Sequence, residues 1–217
     1  MAENKPRDFT CTDCGILGCY RRDKELPSTC LTKRYGAENE RVLNLYRDGG
    51  QTAQIARAAA EIEGQYYGKL TRVEEIIAFA KKIGARKIGI ATCIGLIEEA
   101  KTFMRVLQAK GLEGYSVLCK VGAVDKTEIG IPPELKVRSD CHEAICNPVL
   151  QADILNAQNT ELNVIIGLCV GHDALFIKYS QAPVTTLITK DRLLGHNPAA
   201  ALYTSGFYYK RLLEKGE

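Results

Sequence analysis

From Arg86 onward, short runs of β-branched and other apolar residues alternate with longer amphipathic stretches, and this alternation predicts the fold. The runs ending at Thr92, Leu118, Leu168 and Thr189 read as strands, because each is a brief apolar block bounded by Gly or polar residues. Between them helices are expected from about Leu96 to Lys110, Pro148 to Gln158 and Asp173 to Tyr179, with an irregular stretch through Pro132-Pro133. Strands separated by such helices imply a parallel sheet with right-handed crossovers. The expected fold class is therefore α/β: a three-layer, parallel-sheet, Rossmann-like core with helices on both faces. A strand order of 2-1-3-4 would put the topological switch point, where open α/β sheets hold ligands, between the first and third strands.

Upstream, residues from Asn39 to Ile83 carry helical periodicity. Val42, Leu43 and Tyr46 share one face, Ile55, Ala58, Ala59 and Ile62 another, and Gly49-Gly50 separates the two helices. A third helix is expected from Thr71, where Thr71 and Glu74 form a capping box and Gly84 a stop. The tail from Pro198 to Lys215, with Leu202, Phe207, Tyr208, Leu212 and Leu213, reads as a closing helix.

A chain of 217 residues, 46% hydrophobic and 25% charged, has room for one α/β core and a small appendage. The net charge of +3 is spread over interleaved acids and bases with no basic run, so nucleic acid is not an expected partner. No apolar stretch reaches membrane-spanning length, and Met1 to Pro6 lack the apolar core of a signal peptide. A cytoplasmic protein with no membrane partner is expected. Nine cysteines change the picture most. In a reducing compartment disulfides are disfavoured, so an odd, high count favours metal ligation or thiol chemistry.

The cysteines fall into two sets. Cys11, Cys14, Cys19 and Cys30 lie at a C-x2-C-x4-C-x10-C spacing among Gly, Asp, Arg and Pro, in a segment with too few large apolar residues for a core. We read residues 1–38 as a cysteine-rich metal-binding module and 39–217 as the α/β domain with a metal site at the carboxyl edge of its sheet. The module's four thiolates suit zinc or a second cluster, and the spacing does not choose. In the α/β domain, Cys93, Cys119 and Cys169 each end a predicted strand, and Cys146 precedes Asn147-Pro148, a helix start. Backbone N–H groups at such starts stabilise negative charge, which fits a thiolate-ligated, anionic iron–sulfur cluster of the 4Fe-4S type. Cys141 and His172 are alternates for this ligand set.

Two other uses of these residues compete. Buried cysteines often only pack, and Cys169 with His172 resembles a nucleophile and its acid/base partner, although that would leave Cys93 and Cys119 without a role. Lys190, Arg192 and His196, in the polar stretch after the last strand, are candidates to bind an anionic substrate, and Lys120 adds charge beside Cys119. No phosphate-binding loop, no G-x-G-x-x-G after the first strand and no G-x-S-x-G is present.

Asp13-Cys14-Gly15 with Cys19, Cys146-Asn147-Pro148 with Gln151-Ala152, and Gly167-Leu168-Cys169-Val170-Gly171-His172-Asp173 together form a pattern. It continues through Ala182-Pro183-Val184-Thr185, Lys190-Asp191-Arg192 and Gly195-His196-Asn197-Pro198. The whole resembles a family of cysteine-rich proteins, a domain of unknown function described as metal-binding, from archaea and anaerobic bacteria. The resemblance implies metal binding in an anaerobic setting, which raises iron–sulfur over zinc, and implies no particular reaction. The expected function is an iron–sulfur protein acting in redox, electron-transfer or sulfur chemistry, served by a redox partner protein or a small-molecule substrate. The alternative is a zinc-binding scaffold or metal-handling protein without catalysis. The sequence leaves the oligomeric state open.

Overall fold

The computed structural model describes residues 9–214. Residues 1–6, read above for a leader, and Lys215 at the end of the expected tail helix lie outside that range. The chain divides into two compact units, Met1–Glu61 and Ile62–Glu217.

The first unit holds α1 (Gly18–Arg21), α2 (Leu31–Arg34), α3 (Gly36–Arg47) and the start of α4 (Gln51–Tyr66). A 3-10 turn at Cys11–Asp13 precedes them, closed by a capping box in which the Asp13 carboxylate accepts from the Thr10 N–H at 2.8 Å. Leu17 and Arg22, on either side of α1, have φ of 51° and 56°. Such left-handed positions are what a short segment needs to turn sharply at both ends.

The second unit is the α/β domain. It comprises α5 (Arg72–Lys82), β1 (Lys87–Thr92), α6 (Ile97–Ala109), β2 (Glu113–Leu118), α7 (Pro148–Ala157), β3 (Leu162–Ile166), α8 (His172–Tyr179), β4 (Val184–Ile188) and α9 (Ala199–Tyr203). The sheet has four strands in the order β2-β1-β3-β4, and every pairing is parallel. The two central strands carry the most buried sequences, and β3 is buried along its whole length. Helices cover both faces. On one, Ile76, Ile77 and Ala80 of α5 and Phe103 and Leu107 of α6 pack on Ile88, Ile90, Val164 and Ile166. On the other, Ala152 and Leu155 of α7 and Phe176 of α8 pack on Ala91, Val117 and Ile165. Alternate residues of β1 and β3 therefore serve different cores, as a period of two requires.

Local signals set several boundaries. Thr71 caps α5 through a full capping box with Glu74, and the Asn147 side chain accepts from Leu150 N–H at the start of α7, with Pro148 in the first turn. β3 stops at Ile166 instead of Leu168 because Gly167 takes φ +72°, where no strand can continue. The expected closing helix is mostly absent. α9 forms, the chain then turns as the Thr204 hydroxyl donates back to Ala200 O at 2.6 Å and Ser205-Gly206 follow, and beyond them the described residues hold a single 3-10 turn at Lys210–Leu212. Ser and Gly there favour turns over helix, and Tyr203, Phe207, Tyr208 and Leu213 have no core to bury against and stay exposed.

Candidate functional site

Register in the sheet places the first two cysteines side by side. Thr92 pairs with Leu118, and the ladder runs one step further, with Cys119 N–H donating to Thr92 O at 2.8 Å and Cys93 N–H to Ile166 O at 3.1 Å. Cys93 and Cys119 thus sit just beyond the carboxyl ends of β1 and β2, nearly fully buried. A 3-10 turn starts directly after Cys93, and its free amides face the sulfurs: Gly95 N–H donates to Cys93 and Ile94 N–H to Cys119.

Cys146 arrives from a long excursion over residues 120–145. That loop is folded back by Asn147 N–H to Cys119 O at 2.8 Å, Lys120 Nζ to Ala144 O at 2.6 Å and Ile145 N–H to Val124 O at 2.8 Å. Its hub is Asp125. The carboxylate accepts from Thr127 and Glu143 N–H and pairs with Lys136 at 2.6 Å and His142 at 3.2 Å. The Lys136 ammonium and these amides hold it below the usual carboxylate range. Beneath the cysteines lies Gln151, wholly buried, whose Nε2 donates to Thr92 O and Val117 O at 3.3 and 2.7 Å while its Oε1 has no partner.

The middle thiol is the donor: the Cys119 S–H stabilises a thiolate at Cys93 or at Cys146. The three titrate as a unit. Cys93 is pulled down to about 5 by the Cys119 bond, against its burial, and further by Gly95 N–H and the Lys190 charge. Cys146 is pulled down to about 5 by the Cys119 bond, again against burial, helped by Lys120 and His172. Cys119 is pushed up by its bonds to Cys146 and Cys93 and by burial, so it is the last to ionise.

Cys169 lies in the turn between β3 and α8. Its carbonyl accepts from His172 and Asp173 N–H, and its sulfur accepts from Arg192 Nη2 at 2.9 Å. Lys190 lies over two glycines: a Cβ on Gly95 would stand 3.1 Å from its Nζ, and one on Gly167 3.6 Å from its Cδ. Among the described residues Lys120, Lys190 and Arg192 have no carboxylate partner. His172 stands near Cys146 with its Nδ1 buried and unpartnered. His196 is otherwise engaged, its Nδ1 accepting from Asp191 N–H within its own turn at 3.1 Å. Cys141 is exposed on the excursion.

All nine cysteines are free thiols. In the first unit Cys11 and Cys19 are exposed, Cys14 follows the first turn, and Cys30 caps α2 with its thiol pulled down by Thr32. Among the described residues no group of three or more His, Cys, Asp or Glu is arranged to hold an ion as it stands. The sheet-edge trio is a set of thiols bonded through Cys119, not a cage around a shared centre. Asp125 was not among the residues singled out for function, and Gln151 stood only within the pattern that carries the family resemblance, with no role assigned. Gln151 had a signal, a polar residue within the apolar stretch Val149 to Leu155, while Asp125 had only an ordinary turn sequence.

A four-stranded parallel α/β sheet with thiols at its carboxyl edge defines a cysteine-rich, Rossmann-like protein. The chain belongs to the family described as "Protein of unknown function (DUF1847)", whose model matches residues 30–187. It is 52% identical over 204 residues to the uncharacterised protein MJ0455 of Methanocaldococcus jannaschii, covering 94% of this chain and 98% of that one. The family match contains Cys93, Cys119, Cys146 and Cys169, and it stops short of Lys190 and Arg192. Among the described residues no helix is long and apolar enough to cross a membrane.

Proposed function

We propose that the sheet-edge cysteines hold a thiolate-ligated metal centre, an iron–sulfur cluster of the 4Fe-4S type, serving redox, electron-transfer or sulfur chemistry. One observation carries this reading: three thiols from three separate elements, the ends of β1 and β2 and the start of α7, meet under backbone amides that donate to sulfur. Thiolates are the ligands such clusters take, and N–H donors to sulfur are among the levers that set their potentials. Gln151, whose Nε2 donates to Thr92 O and Val117 O on the strands that end in Cys93 and Cys119, has a buried Oε1 without a partner. A cluster there supplies one-electron chemistry or a Lewis-acidic iron. The chain's own part is to present the sulfurs, donate Gly95 and Ile94 N–H to them and offset their charge with Lys190 and Lys120.

Cys11, Cys14, Cys19 and Cys30 belong to this reading as a second centre, zinc or cluster, formed when the module closes on its metal. Nine free thiols suit a reducing cytoplasm, and the partner is a redox protein or a small-molecule substrate. A second reading has its own observation: His172, with a free, buried Nδ1 near Cys146, would complete a Cys3His zinc site.

Anaerobic purification with metal and acid-labile sulfide analysis separates the two. A brown protein with iron and sulfide in comparable amounts, bleached by dithionite, supports the cluster. A colourless protein with stoichiometric zinc supports Cys3His and removes the cluster.

A further inference from the structure

The connections out of β1 and β3 part in opposite directions. β1 is followed by α6, which packs on one face of the sheet on its way to β2, and β3 by α8, which packs on the other face on its way to β4. Neighbouring parallel strands whose connections diverge in this way open a crevice beyond their carboxyl ends, where open α/β sheets take ligands. Gly95 stands on the β1 side of it, and Cys169, three residues past the end of β3, on the other.

The segment after β4 brings two cations to this edge. Arg192 Nη2 donates to the Cys169 sulfur at 2.9 Å. The half-buried Lys190 runs along Gly167 and sets its ammonium at Gly95, 3.1 Å from where a Cβ would stand. The neighbouring acids do not neutralise them. Asp173 accepts from Ala174 N–H and Asp191 from Leu193 and Leu194 N–H, and among the described residues no carboxylate pairs with Lys190 or Arg192. An anion is the ligand that two such uncompensated cations attract.

Chemistry at the sulfur narrows the anion. Arginine keeps its protons, so it can orient a sulfur nucleophile and hold an anion but cannot act as acid or base. Among the described residues no histidine, lysine or carboxylate is bonded to the Cys169 sulfur: His172 leaves its Nδ1 unpartnered, and the His196 Nδ1 accepts from Asp191 N–H. Acyl transfer, which calls for a base at the nucleophile and an acid at the leaving group, is not served by this arrangement. Exchange at sulfur is served, because a thiolate attacks and an anion departs without proton transfer.

We propose that this crevice binds a small anion carrying a sulfane sulfur, of the thiosulfate class, and that Cys169 takes up that sulfur. The Cys169 thiolate attacks the outer sulfur of the donor. A new S–S bond forms as the bond between the donor's two sulfurs breaks, and sulfite leaves with that electron pair. Cys169 remains as a persulfide anion. A nucleophilic acceptor, a thiolate or cyanide, then bonds to the outer sulfur as the persulfide S–S bond breaks, and the Cys169 thiolate returns. Arg192 orients the attacking sulfur, and Arg192 with Lys190 holds the donor and the departing sulfite. No metal and none of Cys93, Cys119 and Cys146 takes part in either step.

The test uses the anaerobically purified full chain, incubated with sodium thiosulfate. Released sulfite is measured, peptide mass spectrometry locates the added sulfur, and cyanide then discharges it as thiocyanate. The expected result is one sulfur on Cys169, matched by sulfite. Cys169→Ser should lose the uptake while Cys141→Ala, at an exposed position, keeps it, with circular dichroism to confirm that both are folded. Arg192→Gln and Lys190→Gln should each raise the thiosulfate concentration for half-maximal uptake by about 10-fold or more, as loss of a charge-assisted hydrogen bond predicts. Cys169 should also favour anionic iodoacetate over neutral iodoacetamide relative to a small thiol in solution, and Arg192→Gln should erase that preference. No uptake by the folded protein, sulfur on other cysteines in place of Cys169, or undiminished uptake by Cys169→Ser would each overturn the proposal. Unchanged half-maximal concentrations in both cation variants would overturn the anion site.

Discussion

Replacing Gly167 with Ala probes the joint between the sheet and the candidate site. Gly167 ends β3 with φ +72°, and a Cβ there would collide with the Cδ1 of Leu96, a side chain only 2% exposed. Two costs follow. The left-handed backbone costs an L-residue about 1–2 kcal/mol, and forcing Leu96 aside in a packed core costs about 1–3 kcal/mol. The sum of about 2–5 kcal/mol is a large part of the roughly 5–15 kcal/mol that holds a typical domain folded. In urea, with an m-value of about 3 kcal/mol/M, the midpoint should fall by about 1 M. Gly130→Ala is the internal control, because Gly130 has φ +79° with nothing within 4 Å of its would-be Cβ. It should incur only the backbone cost. A double-mutant cycle with Leu96→Ala isolates the collision, since removing Cδ1 should recover about 1–3 kcal/mol in the Gly167→Ala background. Equal costs for Gly167→Ala and Gly130→Ala, or a cycle with no coupling, would show that the contact with Leu96 is not as described.

On the proposed metal reading, Cys119→Ala should abolish the sheet-edge metal while Cys141→Ala, at an exposed loop position, leaves it in place; equal losses by elemental analysis would refute that reading for the trio. Asp125→Asn removes the charge that gathers Lys136, His142 and the Glu143 and Thr127 amides, so limited proteolysis within residues 120–145 should quicken and metal should exchange faster to a chelator; unchanged rates of both would show that the loop does not depend on this hub. Glu161 accepts from Lys87 and Arg86 N–H, which lowers its folded-state pKa. Its contribution to stability is therefore fully present above the unfolded value of about 4.3 and fades as pH falls through the lower folded one. Glu161→Gln should lose that part of the acid limb, measured by urea unfolding between about pH 6 and pH 3, and parallel curves for the two proteins would refute it. If the proposed amino-terminal centre exists, truncation up to about Lys33 should remove it and leave the α/β domain folded by circular dichroism; global unfolding would refute the module's independence.

Much of the α/β domain was legible because its signals are local. The capping box at Thr71 and Glu74, Pro148 after Asn147, and the apolar runs of β1 and β3 each act within a turn or a strand, and the elements form where those signals stand. Alternation of strand and helix then implied parallel pairing, and the sheet is parallel throughout. The tail failed for the complementary reason: periodicity from Leu202 to Leu213 suggested a helix, but an amphipathic helix needs a surface to bury its face, and these side chains remain exposed beyond Ser205-Gly206. In the site, the sequence by itself determined that cysteines end three of the apolar runs and precede α7. Only the tertiary structure decided which of them meet. Cys93 and Cys119 are neighbours because of strand register, Cys146 joins them because Asn147 binds back to Cys119 across the excursion that Asp125 gathers, and Cys169 is turned to Arg192. Those contacts link residues far apart in the chain, and their geometry depends on how the loops close, which spacing along the sequence does not encode.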